Sequence, residues 1–284
     1  MADKPLLGKV AIVTGGAGGI GRVLVRALRA EGAKIAVVDV DEGSMRRLGE
    51  ELAQRSDHDV VTLAADVSDV EACRMAVERV TEKLGGIHIL INNAAVGMGI
   101  IRPDHLTRLV RIQEITPALW QRFVNTNLSG AWYMTRFAAP YLLAQGWGRI
   151  IDISTSFFTM LRGRFHPYGP AKAGLEAMAA GHAAEFKGTG VTVNVVVPGG
   201  PTDTPMVPPE SGMKREDLIS PQVMAPPVVW LCSPAADRIT GNRYVAAHWD
   251  MSQPPDQAAR RCAAPIAWPQ LAESPVWPGG RPDD

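Results

Sequence analysis

Short, mainly apolar runs alternate with stretches of helical period along this chain. Residues 10–13 and 35–38 are apolar at every position, and residues 60–63, 87–91, 149–153 and 191–197 are apolar at most of theirs. Such runs predict strands buried on both faces. Between them, Ile20, Leu24, Ala27 and Leu28 recur at helical spacing and Gly32 marks a stop. Residues 71–84 form an amphipathic helix that stops at Gly85-Gly86, and Thr116-Pro117 supplies an N-cap and first-turn pair for a helix reaching about Phe123. The pattern predicts one α/β domain, a doubly wound parallel sheet with helices on both faces. Two stretches break it. Residues 96–115 have no clean period, and long loops of that kind are usually functional. After Asp250 the chain turns to Pro, Ala and Trp, so residues 251–284 are expected to extend outside the sheet of a catalytic domain spanning 1–250.

Composition narrows the classes. With 284 residues, 46% of them hydrophobic, the chain can bury a substantial core. Lys and Arg number 29 and so do Asp and Glu, and no basic block stands out, which argues against nucleic acid or an anionic membrane surface as partner. No apolar run approaches the ~20 residues that span a bilayer, and the start carries no secretory pattern. Cys73, Cys232 and Cys262 are few and far apart, which predicts a reducing, cytoplasmic setting and no disulfide framework. No Cys/His spacing suggests a metal.

Chemistry enters with two motifs. Gly15, Gly18, Gly19, Ile20 and Gly21 lie between a strand and a helix, where glycines let backbone approach a pyrophosphate and the helix N-terminus attracts it. Asp39 ends the second strand twenty residues after Gly19, where a carboxylate binds an adenosine ribose and repels a 2′-phosphate. With no Arg or Lys at Gly18 to pair with such a phosphate, NAD is expected over NADP. The second motif is Tyr168 and Lys172, four residues apart on one helix face. An ammonium near a phenol favours the phenolate, so Lys172 is expected to lower the pKa of Tyr168 toward the range of useful proton exchange.

Together these residues resemble the short-chain dehydrogenase/reductase family over roughly residues 6–250. The Thr14 to Gly21 loop, Asn92-Asn93-Ala94-Ala95, Asn127, the Tyr168/Lys172 pair and Pro198-Gly199 appear in family order. The resemblance implies a seven-stranded Rossmann-type sheet and self-association as a homodimer or homotetramer. It implies that Val40, after Asp39, belongs to the adenosine side, that Asp66 and Val67 touch the adenine, and that Asn93 and Ala94 lie near its ribose. It also implies that Pro198, Gly199 and a threonine beyond them meet the nicotinamide. Thr204 fits that threonine by its Asp-Thr-Pro-Met setting; Thr202 fits by distance from Pro198. By the same resemblance Tyr168 exchanges the proton, Lys172 holds the nicotinamide ribose, and Asn127 anchors a water leading to the lysine. The family serine thirteen residues before the tyrosine is here Thr155, with Ser154 and Ser156 as the neighbouring alternatives.

The expected substrate is a small alcohol or ketone framed by residues 96–115, 156–167 and 206–224, the last as a lid. Phe157, Phe158, Met160, Leu161 and Phe165 argue for an apolar body, whereas Arg162, Arg164 and His166 leave open either a solvated loop or an anionic substrate. The leading expectation is an NAD-dependent oxidoreductase interconverting a secondary alcohol and a ketone. A nucleotide-binding sensor without turnover and a reductase of C=N or C=C bonds are the alternatives. Trp249, Trp268 and Trp277 predict that the tail packs on its own subunit or on a partner, with a disordered tail as the alternative.

Overall fold

The structure, a computed structural model, describes residues 4–53 and 59–272; Trp277 falls outside the described residues. Seven strands run parallel: β1 (Val10–Thr14), β2 (Lys34–Asp39), β3 (Val60–Ala64), β4 (Ile89–Asn92), β5 (Gly148–Ile153), β6 (Val191–Val197) and β7 (Asn242–Val245). Their order across the sheet is β3-β2-β1-β4-β5-β6-β7. Helices α1 (Gly19–Ala30) and α2 (Glu42–Ala53) cover one face. Helices α3 (Val70–Leu84), α5 (Gly130–Ala144) and α7 (Tyr168–Glu185) cover the other, and α8 (Ala225–Cys232) and α9 (Pro255–Cys262) return to the first.

The mainly apolar runs are explained by these two layers. Every residue of β1, β4, β5 and β6 is buried. Along β1 the side chains alternate: Ala11 and Val13 pack with Leu24, Leu28 and Leu48, while Val10 and Ile12 pack with Val77, Val80 and Met134. Each such side chain contributes roughly 1.5–3 kcal/mol when fully buried. The edge strand β3 is only half-buried, as its position requires.

Several expected boundaries hold. The Asp69 carboxylate accepts from the N–H groups of Glu71 and Ala72 to start α3, and Gly85 ends it at φ +85°. Thr116 caps α4 (Pro117–Val124), with Pro117 in its first turn. Strand β4 begins at Ile89, two residues later than expected, and the Ile87 carbonyl accepts from the Gln145 side chain.

The tail requires a correction. Residues 251–284 do not lie wholly outside the sheet: β8 (Ala263–Pro265) pairs antiparallel with β7 and makes an eighth strand, one more than the resemblance implies. Helix α9 carries the chain back across the layer of α8, where Ala259 and Cys262 join the core and bring Ala263 alongside Tyr244. Among the described residues, no helix is long and apolar enough to cross a membrane.

Candidate active site

The strand order reverses direction between β1 and β4, so the loops leaving their C-terminal ends diverge and open a crevice. Thr14, the last residue of β1, ties the two sides together. Its hydroxyl donates to the Ile91 carbonyl at 3.3 Å and accepts from the N–H groups of Asn93 (3.0 Å) and Ala94 (3.1 Å). Asn93 returns the tie through Nδ2, which donates to the carbonyls of Thr14 and Gly15, both at 3.0 Å.

The glycine loop crosses the mouth of this crevice. Gly15 sits at φ +59°, and a Cβ there would lie 2.8 Å from Ala94 Cα. A Cβ on Gly21 would fall 2.0 Å from the Gly15 carbonyl oxygen, so α1 can approach the loop only without a side chain there. Gly18 differs: a Cβ would meet nothing within 4 Å. It stands as the N-cap of α1 without a side-chain cap, which leaves space and first-turn N–H groups for an anion. Asp39 reaches toward the same loop. Its Oδ2 accepts from Ala17 N–H at 2.9 Å and Oδ1 from Asp41 N–H at 3.1 Å. Val40 beside it is exposed. On the next loop, Asp66 accepts from the N–H and hydroxyl of Ser68, and Val67 packs beneath Gly130.

Beyond β5 and β6 the crevice deepens into a cavity of about 430 Å³, lined by Ile20, Asn93, Thr155, Tyr168, Lys172 and Thr204 among others. The Thr155 hydroxyl stands beside the Tyr168 phenol on the cavity wall. The neighbouring hydroxyls point to other work. Ser156 caps the short helix α6 (Phe157–Leu161) by accepting from Thr159 N–H at 3.1 Å, and Ser154 is turned toward Glu176. Pro198, Gly199, Thr202 and Thr204 form the floor; Thr202 is the more buried of the two threonines and donates to the Gly200 carbonyl, while Thr204 lies against Gly19.

Electrostatics correct one expectation. Lys172 does not lower the Tyr168 pKa through the protein's own groups: burial pushes the phenol up to about 12, and only the neighbouring Thr155 hydroxyl opposes it. The ammonium is engaged elsewhere, donating to the Ile153 carbonyl at 2.7 Å. Burial brings Lys172 down to about 8, while the charges of Asp152 and Glu176 pull it back up. Asp152 is itself pushed up to about 6 by burial, against the Asn92 hydrogen bond of 2.8 Å and the Lys172 charge. Behind this pair, Glu176 lies 3.0 Å from Arg243 Nε, and Arg243 donates to the Thr155 carbonyl. The Arg243 guanidinium covers the Phe157 ring at 4.3 Å, and Trp268 packs 6.0 Å from the same ring. At Trp268 the tail therefore packs on its own chain, against the ring that lies under the guanidinium bonded to the Thr155 carbonyl.

The chain matches the family described as short chain dehydrogenase over residues 9–214. The chain belongs to that family. It is 36% identical over 194 residues to 2,3-dihydroxy-2,3-dihydro-p-cumate dehydrogenase of Pseudomonas putida, covering 68% of this chain and 71% of the relative. It is 32% identical over 245 residues to the 3-oxoacyl-(acyl-carrier-protein) reductase of Vibrio harveyi, covering 83% and 94%. Among solved structures, a dehydrogenase/reductase from Sinorhizobium meliloti 1021 superposes with a TM-score of 0.74 at 29% identity, covering 86% of this chain and 94% of that one. A 3-ketoacyl-(acyl-carrier-protein) reductase from Brucella melitensis, complexed with NADH, gives 0.71 at 26% identity, covering 82% and 94%.

As a short-chain dehydrogenase, the chain is an oxidoreductase that takes a nicotinamide dinucleotide, and its residues fit one: an uncapped helix start, the open space at Gly18 and the Asp39 carboxylate share one end of the crevice. Asn127 does not line the cavity. It lies in a π-helical turn, Asn125–Ser129, where Oδ1 accepts from Val96 N–H at 2.8 Å and Nδ2 donates to the Val96 carbonyl at 2.9 Å. It thus fixes the start of the 96–115 insert. That insert has a core of its own, in which Met98 and Val110 pack with Phe123, and Phe165 and Tyr168 lie against them. Sequence reasoning passed over Asp152, Glu176 and Arg243. Asp152 could have been found as the acid inside an apolar strand, and Glu176 as the next residue on the Tyr168/Lys172 face.

Proposed function

We propose that this chain is an NAD-dependent dehydrogenase/reductase that interconverts a secondary alcohol and a ketone on a small, largely apolar molecule. The meeting of the Thr155 hydroxyl, the Tyr168 phenol and Lys172 at the wall of one cavity carries this reading. Two relatives support it by name, a dehydrogenase of a dihydroxy-dihydro ring acid and a reductase of a 3-oxoacyl group.

The glycine loop and the start of α1 hold the pyrophosphate. Asp39, with Val40 beside it, takes the adenosine ribose and disfavours a 2′-phosphate; Asp66, Val67, Asn93 and Ala94 border the adenine side. Lys172 and Tyr168 hold the nicotinamide ribose over Pro198, Gly199 and Thr204. The cofactor supplies the hydride acceptor or donor and, when oxidised, a positive charge that favours the phenolate.

For reduction, Tyr168 enters protonated, since its phenol stands near 12, and gives its proton to the oxygen of the substrate. Thr155 orients that oxygen by hydrogen bonding. Lys172 passes a proton back to the phenol through water anchored near Asn127. In oxidation Tyr168 takes the hydroxyl proton, and the same residues carry it out. The setting is the cytoplasm, consistent with three free, buried cysteines. The working form is a homodimer or homotetramer, consistent with Trp120 and Trp132, each 43% exposed.

A panel of secondary alcohols with NAD, read at the absorbance of the reduced nicotinamide, tests this reading with two variants. Thr155→Ser keeps turnover within about threefold and Thr155→Val loses roughly 100-fold, the loss of one transition-state hydrogen bond. Wild-type rates in Thr155→Val would remove the threonine from the site.

A further inference from the structure

The cavity holds a charge that the proposed chemistry leaves unused. Lys172 and Arg162 are the charged side chains that line it, and no Asp or Glu does. Lys172 is occupied with the Ile153 carbonyl. Arg162, at the C-terminal cap of α6, is half-buried and makes no ion pair or hydrogen bond among the described residues. Its guanidinium is held by aromatic rings, 5.3 Å from the centroid of Phe165 and 5.9 Å from that of Phe158. Arg164 and His166, its companions in the sequence, do not line the cavity.

A second group faces the same place. His105, from the 96–115 insert, is 5% exposed and lines the cavity, with its ring 6.1 Å from Phe165. Its Nδ1 is buried without a well-formed hydrogen bond. Burial and the nearby Arg162 charge lower its pKa, against the pull of the Arg102 and Pro103 carbonyls and the charge of Asp104. The acid beside it, Asp104, is paired with Arg108 at 3.2 Å and so is not the counter-charge of Arg162.

Resting on the dehydrogenase reading, we propose that Arg162, with His105 beside it, binds an anionic group of the substrate, which is a hydroxy or keto carboxylic acid. Phe165 sets the spacing. It touches the guanidinium on one side, and Tyr168 meets it edge-on with centroids 6.1 Å apart. The acid group and the carbon that reacts therefore both lie beside the Phe165 ring. A single planar guanidinium matches a carboxylate, whose two oxygens accept its paired N–H groups. The apolar walls at Phe158, Phe165 and Met206 suit the carbon body between the two ends.

The test compares 4-oxocyclohexanecarboxylate with its methyl ester, which differ in charge at one end. Turnover is followed with NADH, and binding is followed by titration calorimetry with and without NADH. The acid is expected to bind and react about tenfold better than the ester, as a charge-assisted pair allows. Arg162→Gln should abolish that ratio, and Arg162→Lys should restore part of it. Equal binding of acid and ester, a ratio that survives Arg162→Gln, or no heat from the acid would each overturn the proposal. Acid binding that depends on Arg162 without turnover of either compound keeps the anion site and defeats the dehydrogenase reading. Turnover of both compounds at equal efficiency does the reverse.

Discussion

The two ends of the crevice are built from different materials. At the glycine loop the shape comes from backbone: what matters at Gly15 and Gly21 is that no side chain exists, and the proposed anion contacts are main-chain N–H groups. Around Tyr168 the shape comes from buried side chains drawn from four separate parts of the chain: Asn92, Asp152, Lys172 with Glu176, and Arg243. A cradle made of backbone tolerates little steric change but carries no titrating group. A cluster made of buried ionisable groups is robust in shape but sensitive to every neighbouring charge. Binding of the dinucleotide and transfer of the proton are therefore expected to fail separately.

The largest expected effect breaks chemistry alone. Tyr168→Phe should lower turnover by about 1000-fold or more while the dissociation constant for NADH, measured by fluorescence titration, moves less than about twofold. Loss of both together would mean that the two ends are not independent. On the backbone side, Gly21→Ala places a Cβ 2.0 Å from the Gly15 oxygen and should cost several degrees of Tm along with cofactor binding. Gly18→Ala, with nothing within 4 Å, should leave Tm unchanged and weaken NADH by about tenfold. A Gly18→Ala protein that binds NADH as tightly as wild type would take the pyrophosphate away from that position.

A fourth substitution sharpens the adenosine side. Asp39→Ser should raise the NADP-to-NAD ratio of kcat/KM by about tenfold, and an unchanged ratio would contradict the role given to that carboxylate. The smallest effect is a displacement on the pH axis. Ketone reduction needs a protonated phenol, secure well below about 12, and a charged Lys172, which titrates near 8. Its kcat/KM should fall as pH rises through about 8. The Asp152 carboxylate raises the Lys172 pKa, so Asp152→Asn removes that support and moves the fall to lower pH, by about one unit. A fall at the wild-type pH would mean that Lys172 does not set it.

The same contrast decides what could be read from the chain. The cradle leaves a local signature, because glycines at Gly15, Gly19 and Gly21 and an acid at Asp39 sit at fixed intervals from two apolar strands. The β-strands of the inner sheet are legible for a similar reason, being short and mainly apolar runs. The polar network was not. Arg243 lies in a short, polar-looking strand, and its partner Glu176 is distant in sequence, so no spacing announces the pair. Helix α5 escaped because it is apolar on several sides and shows no single-face period. The tail escaped because β8 is three residues long and contains a proline. The pKa of Tyr168 was misjudged for a related reason: i, i+4 spacing places Lys172 near the phenol but cannot show that the Ile153 carbonyl holds its ammonium.

One consequence of the eighth strand concerns how copies of this chain could meet. Antiparallel β8 occupies the outer side of β7, and Pro265, opposite Asn242, has no N–H to offer beyond it. A neighbour's strand cannot dock against β7, and the ridge that replaces it is short and ends in a non-donor. A sheet running continuously from one subunit into the next is thereby disfavoured on that flank, which leaves helices and loops as the surfaces for association there.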